Sequence, residues 1–331
     1  MKILRVGDPH VMVSNLKDSQ ALLDFILKLA IKKEVDVIEF LGDLFHTHAV
    51  MRVEVVDFWK KNFQAIKDAQ FNCRVLVGNH DQPGSKEKEQ EMNALNIFED
   101  NVEEGGWRTI INSPRVMDGV AYIPYMSDKE AFLKASKDLF VQGGAKLLVA
   151  HQTFTGATYD NGFFAEDGID PALVSQDWII SGHIHKKQII GKCEYPGTAK
   201  WDTMSDANQD KGLTLYTHGP DGSVIDRNVF PTAHIVSPIY KFTFNEGEEE
   251  PVMDPKARNY LELVGKTAWI TKMKKKYKGK VNLKARPTDR KSVKLDADQL
   301  LTIQDYLDKH FDLIDGVGKD DVKKYLETIN G

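Results

Sequence analysis

Cysteine is scarce in this chain: 331 residues hold only Cys73 and Cys193, with no CxxC pair. A disulfide scaffold and a thiolate zinc site are therefore excluded as expectations, and a reducing compartment is implied. Long apolar runs are missing as well. No stretch approaches the roughly 18 residues that a membrane span needs, and the opening MKILRVGDPH turns polar too early for a secretion signal. A cytoplasmic protein with no membrane partner is the expectation. Internal repeats and low-complexity tails are also absent. What remains is a composition of 41% hydrophobic and 9% aromatic residues, enough for a core and incompatible with intrinsic disorder.

Nor is there an overall positive charge. The net −5 from 44 basic and 49 acidic residues argues against a general nucleic-acid coat. The mean hides an asymmetry, because residues 266–294 contain twelve Lys or Arg and only Asp289 as an acid. Lys272, Lys274, Lys275, Lys276, Lys278 and Lys280 form its densest part. Such a run is either a solvated face or an anion-attracting surface.

The first two hundred residues alternate short apolar runs with helical patterns, the signature of an α/β fold. Strands are expected near 3–6, 35–41, 74–77, 121–123, 146–150 and 178–181, and helices near 19–33, 50–70, 86–98 and 128–140. Leu22, Leu23, Ile26, Leu27 and Ala30 form one helical stripe, and Val53, Val56, Trp59, Phe63 and Ile66 another. Strands at 212–217 and 224–230 follow. The acidic, Pro-containing segment 245–255 reads as a linker or hairpin loop. Along the whole chain three units are expected: 1–235, a basic unit at 236–291, and a terminal pair of short helices at 292–331. Leu300, Ile303, Leu307, Phe311 and Ile314 mark the first of those helices, and Val322, Tyr325, Leu326 and Ile329 the second.

Almost every strand of the first unit ends in Asp, Asn or His. The blocks are Gly7-Asp8-Pro9-His10, Gly42-Asp43-Leu44-Phe45-His46, Gly78-Asn79-His80-Asp81, His151, and Gly182-His183-Ile184-His185. Carboxyl ends of strands in α/β sheets form the ligand crevice, so five clusters would converge there. Seven of the ten histidines lie in or beside these blocks: His10, His46, His48, His80, His151, His183 and His185. The i, i+2 spacing of Asp8/His10 and of His183/His185 puts each pair on one face of an extended backbone. Carboxylate, imidazole and amide donors without thiolate suit manganese, iron or zinc. Two Asp, one Asn and four His suffice for two ions if one carboxylate bridges, and paired ions are the recurring device for displacement at phosphorus.

The ordered blocks DxH, GD, GNHD, H and GHxH resemble the calcineurin-like metallophosphoesterases. Within that superfamily the chain is most similar to SbcD-type nuclease subunits of double-strand-break repair complexes, short bacteriophage relatives included. GDLFH replaces the phosphatase pattern GD-x-x-DRG, Tyr195-Pro196-Gly197-Thr198 with Lys211-Gly212-Leu213 resembles the nuclease block that closes the sandwich, and a basic unit with a helix pair follows. Thr198 stands where the family usually has Ser. The resemblance covers most of 1–230 by motif, and only architecture beyond that.

It implies a four-layer sandwich of mixed β-sheets flanked by helices, a small α+β capping domain, and a C-terminal helix pair. One ion would be held by Asp8, His10, Asp43 and His185, the other by Asp43, Asn79, His151 and His183. The ions would be manganese, with magnesium as the alternative. His80 would protonate the leaving oxygen or stabilise the transition state, Asp81 would orient it, and His46 would sit close to the phosphate. The implied function is a DNA exonuclease or endonuclease in recombination, repair or replication, in the host cytoplasm if phage-encoded. It would be a homodimer, packing through the 53–66 stripe with Met92, Leu95 and Phe98 unless those helices simply cover their own sheet. The 292–331 pair would either pack on its own domain or, as the family favours, join the chain to an SbcC-like coiled-coil ABC ATPase. The lysines from Lys272 to Lys280 would bind DNA. A free-standing phosphatase or small-molecule phosphodiesterase is the competing expectation, and a metal-free scaffold the remote one, since no expected ligand is substituted.

Overall fold

The computed structural model of the chain describes residues 1–48, 50–83, 92–99 and 106–289. Two six-stranded sheets face each other. The first contains β1 (Lys2–Val6), β2 (Val37–Phe40), β3 (Asn72–Leu76) and β4 (Arg108–Ile111). The second contains β5 (Arg115–Met117), β6 (Val120–Ile123), β7 (Leu147–His151), β8 (Trp178–Gly182), β9 (Gln188–Ile190) and β10 (Cys193–Tyr195). β11 (Gly212–His218) and β12 (Val224–Pro231) return to the first sheet, whose order is β12-β11-β1-β2-β3-β4. The second runs β5-β6-β7-β8-β10-β9. β1 through β4 pair in parallel, as do β6-β7-β8-β10. These central strands are buried on both faces, which explains their near-continuous apolar runs.

Helices α1 (Leu16–Lys33) and α2 (Val53–Asp68) cover the outer face of the first sheet, and α3 (Lys129–Gly143) covers that of the second. Leu41, Leu76, Ile111 and Tyr216 meet Val120, Tyr122, Leu147, Val149 and Ile180 between the sheets. The result is the four-layer α/β sandwich. Asp128 caps α3 by accepting the amides of Glu130 and Ala131. A polar network also lies between the layers: Arg5 donates to Glu39 (2.5 Å), Tyr122 donates to Glu39 (2.7 Å), and Arg74 donates to Tyr122 (2.9 Å). All four are buried, so losing one partner would strand the others' charge. The two cysteines lie buried and unpaired in different sheets. Among the described residues no helix is long and apolar enough to cross a membrane.

The α2 stripe differs from its sequence reading. Val55, Phe58, Trp59, Phe63 and Ile66 form the buried face, while Val53 is 79% exposed. Trp59 and Phe63 pack edge-on against Phe40 of β2, and Leu95 and Phe98 join the same core. These side chains pack on their own sheet, as the alternative reading of the stripe has it. Each fully buried aliphatic or aromatic group contributes about 1.5–3 kcal/mol there. Of the helix expected at 86–98, the described part is a 3-10 turn at Ala94–Phe98.

A third sheet holds β13 (Ile239–Asn245), β14 (Arg258–Gly265) and β15 (Asn282–Pro287), all parallel, with α4 (Thr267–Tyr277) crossing between the last two. The acidic segment after β13 is therefore a parallel crossover and not a hairpin. A hairpin would reverse the strand, whereas a parallel pair needs about a dozen connecting residues. Phe244, Leu261, Leu263, Ile270 and Tyr277 make a separate small core. The helix pair expected at 292–331 lies outside the described residues.

Candidate metal centre

The carboxyl ends of β1, β2, β3, β7 and β8 converge, and every expected ligand arrives there. The route differs from the sequence expectation in one respect. Asp8 (φ 30°), His10 (φ 41°), Asp43 (φ 53°) and His183 (φ 83°) all lie in the left-handed region. Among the described residues, four of the eight non-glycine positions with positive φ are thus expected ligands. Convergence comes from strained turns and not from two side chains on one face of a straight strand. Such conformations cost of order 1–3 kcal/mol each and persist only where the surroundings over-determine them.

Asp43 occupies the middle. Its Oδ2 is 3.5 Å from His10 Nε2 and 3.3 Å from His151 Nε2. Its Oδ1 accepts the amide of His80 at 2.8 Å. Asp43, His151 and His183 form one group able to hold an ion, with Asn79 Oδ1 at 3.0 Å from His151 Nε2 and 2.7 Å from His183 Nδ1. His10, Asp43 and His80 form another, and His185 Nε2 stands 2.9 Å from His10 Nε2. Asp8 Oδ2 accepts the amide of His183 at 2.8 Å, while its Oδ1 is buried without a hydrogen-bond partner.

These donors fit divalent ions. Ligand bonds of 2.0–2.1 Å place neighbouring donors about 2.9 Å apart at right angles and about 3.3 Å apart at tetrahedral angles, the range of the separations above. The His10 and His185 nitrogens at 2.9 Å either share one proton in an N–H···N hydrogen bond or both turn their lone pairs to a common cation. The second nitrogen of several rings is already committed, which fixes the ligating one. His151 Nδ1 donates to the carbonyl of Leu41 (2.7 Å), and His185 Nδ1 faces Asp160 Oδ2 (3.2 Å).

Electrostatics point the same way. Burial raises Asp8 to about 6. For Asp43, burial pushes upward, but His151, His10 and His80 reverse it and hold the carboxyl well below its usual range. Burial, then the charge of His151, brings His183 down to about 3, and burial lowers His10 and His80 too. Burial also pushes His151 down, but Asp43 and Asp8 outweigh it and raise the ring to about 9, and Asp160 and Asp8 likewise raise His185. A cation entering beside the ionised Asp43 would therefore displace protons from those two rings.

His80 is oriented by backbone: its Nδ1 meets the carbonyl of His46 at 2.6 Å, leaving Nε2 free. The ring of His48 stacks on it at 4.0 Å. Among the described residues Asp81 makes no hydrogen bond to the His80 ring. Its buried carboxylate accepts the amides of Phe45 (3.2 Å) and Gly78 (3.0 Å), pinning the β2 and β3 loops together. The His46 ring lies 5.6 Å from that of His10. Lys272, Lys274, Lys275, Lys276, Lys278 and Lys280 are exposed on α4 and its flank, apart from the convergence. Lys276 pairs with Glu250, and no ion pair of the other five occurs among the described residues.

Several residues around the centre are not among the site residues expected from the sequence. Asp160 reaches His185 from a turn whose Asp-Asn-Gly pattern announces only a turn. Lys211, paired with Asp206 (2.7 Å), donates to the carbonyl of His185 (3.0 Å). Tyr125 stacks on His183 with ring centroids 5.8 Å apart.

Fold and centre together define a metallophosphoesterase, a metal-dependent phosphoester hydrolase. The family model for calcineurin-like phosphoesterases matches residues 1–187, and the chain belongs to that family. It is 28% identical over 221 residues to a protein of invertebrate iridescent virus 6 provisionally named phosphoesterase 244L, covering 65% of this chain and 75% of that one. It is 24% identical over 227 residues to the uncharacterized metallophosphoesterase YhaO of Bacillus subtilis (strain 168), covering 65% of this chain. The match spans 53% of the Bacillus protein, little more than half its length. Among solved structures it is similar to a Thermus thermophilus protein, at TM-score 0.39 and 15% identity over 69% of this chain and 98% of that one.

Proposed function

We propose that the chain is a phosphodiesterase acting on DNA, the nuclease subunit of an SbcCD-like complex that loads two manganese ions, with magnesium as the alternative. The supporting observation is the attachment of the lysine-rich unit to the 201–209 segment. Asn208 pairs with β13 through three hydrogen bonds: its amide to the carbonyl of Ile239 (3.0 Å), its side chain to that of Lys241 (2.9 Å), and the Lys241 amide to its own Oδ1 (3.0 Å). Arg258 donates to the carbonyl of Trp201 at 2.5 Å. The same 201–209 segment carries Asp206, which groups with Asp160 and His185. A small phosphoester has no use for five free lysines, whereas DNA affinity rests on phosphate neutralisation.

Bound at these donors, divalent ions would supply a nucleophile from water at neutral pH and neutralise charge on the phosphoryl oxygens. The chain's residues do the rest. Asp43 offers one carboxylate to both positions. His80, its Nδ1–H held by the His46 carbonyl, presents Nε2 toward the departing sugar oxygen. Burial favours the neutral ring, so Nε2 must first take up a proton from solvent, and the imidazolium then delivers it to the leaving oxygen, a step worth ~10²–10⁴-fold. Partner assignments belong to the same proposal. An ABC ATPase would dock on 292–331, and a second copy would pack on the exposed Val50, Met51, Val53 and Met92, the apolar groups that α2 and its neighbours leave uncovered.

The test is incubation of the purified chain with end-labelled duplex and single-stranded DNA, and with a chromogenic diester, in Mn²⁺ or Mg²⁺. Replacing Lys274, Lys275, Lys276 and Lys278 with Gln should weaken DNA binding and lower its log–log salt slope by ~0.9 per lost phosphate contact. Hydrolysis of the diester with no DNA cleavage in any condition would favour the free-standing phosphoesterase, which the metal centre alone serves equally well.

A further inference from the structure

The turn that carries Asp160 also carries the two most exposed phenylalanines among the described residues, Phe163 at 71% and Phe164 at 68%. We propose that this aromatic pair is a stacking site for a nucleobase of a single-stranded or frayed DNA end, next to the metal centre. The inference rests on the DNA reading above and adds the part of the substrate that the site would grip.

Three features carry it. The turn is held rigid, so its exposed rings are displayed on a fixed frame. Tyr159 N–H donates to the carbonyl of Phe163 (2.8 Å), Gly156 and Ala165 N–H bond across the stem (2.9 and 2.7 Å), and Gln188 brackets Thr158 with two bonds of 2.8 Å. The turn is also tied to the reaction centre: Asp160 Oδ2 lies 3.2 Å from His185 Nδ1, and Gln209 holds Asp160 Oδ1 at 3.2 Å. Three Cα-to-Cα steps lead from Asp160 to Phe163, so those two Cα atoms are at most ~11 Å apart. A base within one or two nucleotides of the reacting phosphate can reach the rings. Finally, the neighbouring Glu166 and Asp167 are exposed acids. They repel phosphates, which leaves the neutral π face of a base as the part of DNA that this surface accepts. Stacking of this kind tolerates any sequence, because every base has such a face.

The test compares two cleavage-resistant phosphorothioate 12-mers of equal charge, one bearing bases and one abasic, by fluorescence anisotropy with the metal-loaded protein. The wild type should bind the base-bearing strand about tenfold or more tightly than the abasic one, and Phe163→Ala/Phe164→Ala should erase that preference. Phe163→Trp/Phe164→Trp should restore it. Metal content and melting temperature of each variant verify that the centre is loaded and the fold intact. If the preference survives in the alanine variant, the stacking site is refuted. A dimer-to-monomer shift in that variant with the preference unchanged would assign the rings to a second copy and refute it equally. Cleavage of an ordinary phosphodiester 12-mer by the wild type is scored separately. Cleavage without base preference sinks the stacking site alone, whereas base preference without cleavage sinks the nuclease reading and leaves the site standing.

Discussion

Alanine at Gly78 is the smallest change that should empty the metal centre without touching a ligand. The backbone of Gly78 lies outside the left-handed region, so the substitution carries little conformational penalty of its own. A Cβ there would stand 2.2 Å from Asp43 Oδ1 and 2.4 Å from the Asp43 amide nitrogen. Ordinary contact begins near 3.4 Å, so the carboxylate must retreat by roughly 1 Å, while ligand bonds tolerate about 0.2 Å. It has nowhere to go, because the same Oδ1 is held by the His80 amide. Loss of supporting contacts around a metal typically weakens affinity 10–100-fold. Displacing the shared carboxylate itself should weaken each ion by at least ~100-fold, with an overpacking cost of about 1–3 kcal/mol in fold stability. Gly144 is the matched control: it caps α3 at φ +63° with nothing within 4 Å of an added Cβ. Gly144→Ala should cost about 1 kcal/mol and leave metal content unchanged. Metal content after dialysis against buffered Mn²⁺, melting temperature, and hydrolysis of a chromogenic diester read the outcome. Two tightly held ions and a near-normal rate in Gly78→Ala would refute the steric argument.

Asp43→Asn keeps the size but removes the shared charge, so both ions should weaken and hydrolysis collapse; activity within a few-fold of wild type at saturating metal would contradict the shared-ligand geometry. His80→Ala should keep most metal while slowing DNA cleavage ~10²–10⁴-fold, with smaller losses on a diester whose leaving group needs no proton; equal losses on both would remove the acid role. His218 is held down to about 4, by burial first and then by Arg5, so between its unfolded value near 6.5 and about 4 the unfolded chain binds the extra proton. Stability from this group is therefore complete above pH 6.5 and lost as pH falls, by roughly 2 kcal/mol between pH 7.5 and pH 5; urea midpoints at the two pH values should differ less in His218→Gln.

The sequence announces this site well because its chemistry is concentrated in side chains of rare type at strand ends. Alternating apolar runs place the central strands to within two or three residues, since double-sided burial makes them nearly uninterrupted. The short edge strands β4, β5 and β9, and the three-residue β10 beside β9, carry no comparable run. The α2 register slips for a related reason. Val53 and Trp59 fit a helical stripe equally well as letters, and only the sheet beneath decides which face is buried. The acidic crossover after β13 reads as a hairpin loop because Gly and Pro mark a break in structure without saying which way the chain returns.

Ligand identity and ligand geometry are legible to different degrees, and strain is the reason. Asp, Asn and His tolerate left-handed backbone better than most residues, so motif positions filled by them can bend where a strand would continue. Spacing alone suggests two side chains on one extended face, whereas Asp8, His10, Asp43 and His183 reach the centre through positive φ. The supports that hold such turns come from far along the chain. Asp160 binds His185 across 25 residues, Lys211 grips the same histidine's carbonyl across 26, and Asp81 joins loops 36 residues apart. No local pattern encodes contacts of that range: Asp160 looks like an ordinary turn residue, and the blocks that hold Asp81 and Lys211 do not say which distant loops they reach. The strained ligands should therefore depend on these distant partners more than on their own neighbours. Asp160→Asn keeps a hydrogen bond to His185 but not the charge, and it should loosen metal binding by about tenfold with no change in melting temperature. Unaltered affinity for Mn²⁺ in that variant would show that the His185 ring is fixed by packing alone.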